Sequence, residues 1–296
     1  MSITSRTELH PPLQALIHRS TGVPTTLLRW TGLGGGCINE TYRLETTTGP
    51  YFIKLNQAHR YPGMFEQEAR GLELLSKAGE IDIPKVVGTG THDALSFLVL
   101  EYIEGTALSV DFWEDFGHRL ALLHQHSNTQ FGLDHSNYIG SLPQDNTFEK
   151  DWGSFFIHRR LEPQCKMAMD HHRMDVSLIR KFTRLFEKME DLFPPEPPAL
   201  LHGDLWSGNY MVSGDGKACI IDPAVYYGHR EMDLGMTLLF GGFRAPFYEA
   251  YHETRPLEAG WRKRMDLCNL YPLLVHVNLF GGGYLGQVKQ IVEDWL

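Results

Sequence analysis

The chain has 296 residues, 42% hydrophobic and 21% charged, with a net charge of -9. That is enough apolar material for one large domain or two lobes with a real core, and the acidic balance argues against nucleic acid or an anionic membrane as partner, since both need a basic face. The opening residues 1–6 lack an apolar signal core, residues 270–285 are interrupted by Pro272, His276, Asn278 and three glycines, and four cysteines (Cys37, Cys165, Cys219, Cys268) have neither metal-ligand nor disulfide spacing, so a cytoplasmic, reducing setting without a membrane span is expected.

In chain order, residues 8–19 have the period of a helix with Leu13, Leu16 and Ile17 on one face. A strand over 25–30 leads into the glycine run Gly32-Leu-Gly34-Gly35-Gly36-Cys37, and alternation at Ile38, Glu40, Tyr42 and Leu44 predicts a second strand. Residues 46–50 read as a turn and 51–55 as the returning strand, which contains Lys54. A helix follows over 61–78, with Phe65, Ala69, Leu72 and Leu75 inward, and then strands over 84–88 and 96–102. From there helical patterns dominate: 111–126, 152–172 and 176–192. Pro194–Pro198 is a stiff approach to the short apolar runs 199–201, 210–212 and 218–221, and helices over 232–240, 245–254, 260–280 and the C-terminal end complete the order. Strands first and helices after predict an α+β, two-lobed plan, residues 1–101 and 102–296, with a cleft at the link.

The segment joining the first two apolar runs, His202-Gly-Asp-Leu-Trp-Ser-Gly-Asn209, carries the most chemistry. A carboxylate at Asp204 can accept a hydrogen bond from an attacking hydroxyl, and the amide oxygen of Asn209, five positions on, can ligate Mg²⁺. Asp222, after the third run, supplies a second oxygen ligand. Each aspartate alone would pass as a turn residue; together with Asn209 and Lys54 they point to phosphoryl transfer from ATP. The glycine run is neither a Walker A loop nor a dinucleotide fingerprint, because no Gly-Lys-Ser/Thr follows it and a strand begins where a helix should. Strand, glycines, strand is the arrangement that folds over nucleotide phosphates in kinases, with Gly34, Gly35 and Gly36 allowing close backbone approach; by itself the run would equally fit a hairpin turn. Lys54, inside an apolar strand, needs a partner for its ammonium. Of Glu66, Glu68 and Glu73 on the next helix, Glu68 borders the packed face and is the expected partner. The backbone of Glu101 and Ile103, where the last strand enters the link, is placed to meet an adenine edge. Trp206 beside the base offers a flat face to a sugar or to its amine substituent. Asp233, at the start of an apolar helix, is expected either to anchor the catalytic loop or to cap that helix.

Together, His202–Asn209, Ile221-Asp-Pro-Ala224 and Tyr227-Gly-His-Arg-Glu-Met-Asp-Leu234 resemble the fructosamine kinase (ketosamine-3-kinase) family, of the protein-kinase-like fold near aminoglycoside and choline kinases. Gly34-Gly-Gly-Cys-Ile-Asn39, Phe52-Ile-Lys54, Phe65-Glu-Gln-Glu68 and Trp152-Gly-Ser-Phe-Phe156 fit as well, so the likeness spans nearly the whole chain. It implies ATP-dependent phosphorylation of the C3 hydroxyl of a ketosamine, small or protein-bound, whose product falls apart to free the amine. It implies Asp204 as base, Asn209 and Asp222 as Mg²⁺ ligands and Lys54 as phosphate clamp. Asp222-Pro223-Ala224 replaces the Asp-Phe-Gly of protein kinases, and only eleven positions separate Asp222 from Asp233, too few for a long activation loop. Related kinases carrying a cysteine at the position of Cys37 suggest redox control, so the expected state is a monomer with a redox-linked dimer through Cys37 as the alternative. Two other readings stand beside this one: a kinase of another hydroxyl, on an aminoglycoside or choline, and a nucleotide-binding regulator without catalysis.

Overall fold

The computed structural model describes residues 8–34 and 38–296; Gly35, Gly36 and Cys37 lie outside the described residues. Helix α1 (His10–Thr21) starts on the prolines at positions 11 and 12 and ends on a left-handed Gly22. It lays Leu13, Leu16 and Ile17 against the first sheet, each such burial contributing about 1.5–3 kcal/mol. The sheet is antiparallel, in the order β1 (Leu27–Leu33), β2 (Glu40–Thr46), β3 (Gly49–Gln57), β5 (Leu95–Glu101), β4 (Val86–His92). β1 runs three residues past the predicted end, through Gly32 to Leu33, because pairing with β2 continues to Leu33 opposite Thr41. β4 begins later than predicted, at Val86, and runs to His92.

Helix α2 (Met64–Ala78) crosses the sheet. Phe65, Ala69 and Leu72 pack with Leu98 and Leu100, whereas Leu75 joins the large core of the C-terminal part, as does Ile81. The helix therefore ties the sheet to the helical part. Beyond β5 come α3 (Phe112–Leu123) and a hairpin of β6 (Asn137–Ile139) and β7 (Leu142–Gln144), which no hydrophobic pattern announced. The expected helix over 152–172 is α4 (Trp152–Phe155), a π-helical segment (Phe156–Leu161) and α5 (Glu162–Asp170) in direct succession. The expected helix over 176–192 is α6 (Val176–Phe186) followed by a short α7 (Met189–Leu192).

Short two-stranded ladders build the site floor. β8 (Ala199–Leu201) pairs with β11 (Tyr226–Gly228), and β9 (Tyr210–Val212) pairs with β10 (Ala218–Ile220). Helices α8 (Glu231–Leu239), α9 (Ala245–Thr254), α10 (Trp261–Phe280) and α11 (Leu285–Asp294) close the chain. α10 runs through Pro272, whose missing N–H is tolerated in a helix buried among neighbours. Among the described residues no helix is long and apolar enough to cross a membrane.

α3 and α9 touch through Gly117, where an added Cβ would stand 2.1 Å from the Phe247 carbonyl oxygen. No side chain can relieve a clash with backbone. Gly117→Ala should therefore lower stability by about 1–3 kcal/mol, an overpacking cost, read as a drop of several degrees in Tm; an unchanged Tm would mean that the two helices are not held this closely.

Candidate active site

Lys54 sits on the central strand β3, opposite Thr41 on one side and Leu98 on the other. Only 3% of it is exposed. Its Nζ donates to Glu68 Oε1 of α2 at 2.6 Å and to Asp222 Oδ1 at 2.5 Å. Burial works against the ammonium, but Asp222 and Glu68 outweigh it and hold its pKa above the ordinary lysine value. Burial likewise pushes the Glu68 carboxyl up while Lys54 pulls it down; the cation between two carboxylates is the group that stays charged. Of the three candidate glutamates, the helix delivers Glu68 to the ammonium.

The loop after β8 is held from behind. Asp233, in the first turn of α8, accepts from the His202 N–H (2.8 Å, Oδ2) and the Gly203 N–H (2.9 Å, Oδ1). Its Oδ2 also meets His124 Nε2 at 3.1 Å. It lies inside the helix, not at the cap, which is Arg230. His202 is fully buried and burial lowers its pKa, so the ring is neutral. Its Nε2–H donates to the Ile221 carbonyl (2.8 Å) and its Nδ1 accepts the Asp204 N–H (3.2 Å). Gly203 has φ +82°, and a Cβ there would meet the Ala224 carbonyl oxygen at 2.1 Å, so glycine is required for the two segments to pass. The Ala224 N–H returns to the His202 carbonyl at 2.9 Å.

This framework presents Asp204, Asn209 and Asp222 on one side. Asn209 Nδ2 donates to the Asp204 carbonyl oxygen (2.8 Å) and to Asp204 Oδ2 (3.0 Å). Burial and the neighbouring Asp222 charge raise the Asp204 pKa well above the usual carboxylate value, against the hydrogen bond from Asn209. Asp222 has φ 56°, the left-handed region that non-glycine residues rarely occupy. A residue held there needs a structure that over-determines it.

A cavity of about 550 Å³ joins these groups. Lys54, Glu68, Asp204, Asn209 and Asp222 line it, and so does Trp206, set edge-to-face on Phe240 at 5.9 Å. Beyond Trp206 the wall is aromatic: His276 stands 5.0 Å from Phe240, 5.4 Å from Phe280 and 4.9 Å from Tyr284 between ring centroids. Glu101 and Ile103 do not line this cavity; they stand at the end of β5 and in the link after it. The Glu101 N–H already donates to the Lys85 carbonyl at 2.9 Å, which leaves its own carbonyl for any adenine contact. Gly34 ends the described part of the glycine run, with open space where a Cβ would be. Sequence reasoning passed over Asn137, Tyr138, Ile139 and Gly140 of the β6–β7 hairpin, which also line the cavity; the one available signal was Gly140-Ser141, a two-residue hairpin turn.

Among the described residues no group of three or more His, Cys, Asp or Glu side chains could hold a metal by itself. Mg²⁺ bound with nucleotide needs no such cage, since phosphate oxygens and water complete its shell. The donors present fit that description. The amide nitrogen of Asn209 is spent on Asp204, which turns its oxygen outward, and Asp222, its side chain 45% exposed, spends Oδ1 on Lys54 and keeps a second oxygen.

The fructosamine kinase profile matches residues 10–296. A candidate ketoamine kinase from a Synechocystis species is 41% identical over 95% of this chain and 94% of its own length. The protein-ribulosamine 3-kinase of Arabidopsis thaliana, a chloroplast protein, is 39% identical over 93% of this chain and 85% of its own. The crystal structure of a candidate fructosamine-3-kinase from Thermobifida fusca superposes with a TM-score of 0.85, at 34% identity, over 96% of this chain and 98% of that one. An aminoglycoside phosphotransferase superposes at 0.62 with 16% identity, which shows the shared kinase-like fold.

The Lys54 clasp predicts a pH signature in stability. In the wild type the raised lysine pKa means its contribution is full below about 10.4 and is lost only as pH rises beyond that. Lys54→Met leaves Glu68 buried without its cation, so its carboxyl binds a proton in the folded state more tightly than in the unfolded chain. Stability of the variant should then fall more steeply than that of the wild type as pH rises from 5 to 8, the added slope being up to about 1.4 kcal/mol for each step of one in pH; parallel Tm curves for the two proteins would refute this.

Proposed function

The chain belongs to the fructosamine kinase family, and from that premise we propose that it transfers the γ-phosphoryl group of ATP to the C3 hydroxyl of a ketosamine, the adduct of a sugar on an amine. The observation that carries this reading is the shared cavity: Asp204, the Lys54 clasp and an aromatic wall headed by Trp206 face one space. The phosphorylated adduct is unstable and releases the amine, so the consequence is deglycation. The three described cysteines are buried thiols, which suits a reducing, cytoplasmic setting.

Asp204 accepts the proton of the attacking hydroxyl. Its raised pKa makes it a stronger base than a solvated carboxylate. Asn209, donating to Asp204 Oδ2, fixes which oxygen is free to receive that proton. Lys54 grips the α- and β-phosphates, and Glu68 keeps the ammonium in place when a phosphate competes for it. Mg²⁺ held by Asn209 and Asp222 would neutralise charge on the phosphates. Glu101 and Ile103 offer backbone groups to the adenine, and the glycine run, of which Gly34 is the described end, is assigned to the phosphates. Trp206 stacks on the sugar or on its amine substituent, with the His276–Phe280–Tyr284 wall behind it.

An assay of ADP release across fructosamines, ribulosamines and erythrulosamines, with aminoglycosides and choline as controls, tests the reading; turnover confined to the controls would overturn it. Asp204→Asn should cut kcat by about a hundred- to ten-thousand-fold, the range for a positioned base. The acid limb of kcat/KM, which reports the free enzyme, should lie above the usual carboxylate range, because the rate falls as Asp204 takes up its proton. Trp206→Ala should raise KM for the ketosamine by about tenfold, a loss of about 1.4 kcal/mol, and leave KM for ATP within about twofold; equal shifts in both would remove Trp206 from the acceptor site.

A further inference from the structure

Among the described residues Arg160 is the largest fully buried side chain, with no exposure at all. It stands in the π-helical segment, and π turns are rare and concentrate at functional sites. Among the described residues no carboxylate lies within ion-pair distance of it. Its partners are oxygens and rings: the Asp145 carbonyl at 2.6 Å, the Arg159 carbonyl at 3.0 Å, Asn146 Oδ1 at 2.7 Å, and the faces of Tyr226 at 4.1 Å and Phe155 at 4.5 Å. A buried cation without an anion is expensive, and an apolar side chain of similar volume would serve packing alone better.

What the guanidinium does is visible one bond further on. Asn146 Nδ2 donates to Asn137 Oδ1 at 2.9 Å, and Asn137 Nδ2 donates to the Val225 carbonyl at 2.8 Å. Gln144 Nε2 donates to Asn137 Oδ1 at 2.8 Å and to the Ala224 carbonyl at 3.1 Å, while its Oε1 accepts from Tyr271 at 2.7 Å. Asn146, Asn137 and Gln144 are all buried. An amide can face either way, but arginine is a donor only. With Arg160 at the head, Asn146 must turn its oxygen inward and its nitrogen to Asn137. Asn137 must then turn its nitrogen to Val225. The chain of amides ends on the two residues that follow Asp222-Pro223, the same stretch whose entry is strained at φ 56°.

We propose that Arg160 is a positioning residue: through Asn146, Asn137 and Gln144 it sets the carbonyls of Ala224 and Val225, and so the backbone that aims Asp222 at the nucleotide's metal. The inference rests on the reading of Asp222 as a metal ligand.

Asn146→Asp separates positioning from packing. An aspartate pairs with the guanidinium and satisfies it, yet it cannot donate to Asn137: a carboxylate oxygen then faces Asn137 Oδ1, only Gln144 still donates to it, and the hold of the Asn137 amide on Val225 is weakened. Binding of ATP is measured by calorimetry with and without Mg²⁺ on the whole protein, beside Tm and steady-state kinetics. In the variant, which also gives up the Asn146 bond to the His135 carbonyl, a cooperative Tm should persist, the Mg²⁺-linked gain in ATP affinity should fall about tenfold, ATP affinity without Mg²⁺ should stay within about twofold, and kcat should fall with KM for the ketosamine unchanged. A folded Asn146→Asp protein with wild-type Mg²⁺ linkage overturns the proposal, as does a wild type that shows no linkage. Should Asn146→Asp fail to fold, Gln144→Met, which removes the donor to Ala224 and Asn137, is read by the same criteria. A wild type that phosphorylates no ketosamine sinks the functional reading and leaves this binding measurement standing.

Discussion

One ammonium holds the site together. Lys54 is brought from the middle of a sheet, Glu68 from the helix that crosses it and Asp222 from a strand end far along the chain, and they meet within 2.6 Å. Removing a lysine head group from water is costly, and the two carboxylates are what make this burial tolerable. In return the ammonium fixes the distance between the sheet and the segment carrying Asp222. α2 reinforces the link, because its first half packs on the sheet and Leu75 belongs to the large C-terminal core. The nucleotide would therefore enter a cleft whose two sides are already registered.

The second constraint is the exchange of hydrogen bonds between the loop over 202–209 and the Asp222 segment. His202 gives its ring N–H to the Ile221 carbonyl, receives the Ala224 N–H on its own carbonyl, and is itself hung from Asp233. Such loops cannot move independently. Asp204 and Asp222 are thus fixed relative to each other through the loops that carry them, and not only through the ion pair with Lys54.

The parts of this arrangement that could be read from the chain are those where charge breaks an apolar pattern over a few residues. Lys54 inside β3, Asp204 and Asn209 between two short strands, and Asp222 after a third all show such a break, and Glu68 could be chosen among three glutamates because it borders the packed face. What could not be read is polar and buried. Asn137 and Gln144 look like loop residues because nothing in the sequence says that they will bond to each other and to a distant backbone. The π segment is hidden because its apolar spacing still resembles a helix, and β11 because its partner β8 lies about twenty-five positions away. Arg160, a charged residue in a helical stretch, would by default be assigned to solvent; only three-dimensional packing shows that it is in the core.

The short span between Asp222 and Asp233 has a physiological consequence. Where a regulated kinase has a mobile segment that must be rearranged before turnover, this chain has β11, paired with β8 and tied to Gly132 by a reciprocal pair of backbone hydrogen bonds. A strand so bound offers a modifying enzyme no pliable stretch to seize. A switch that works by ordering a long loose loop after Asp222 therefore has no counterpart between Asp222 and Asp233, where the backbone is already paired.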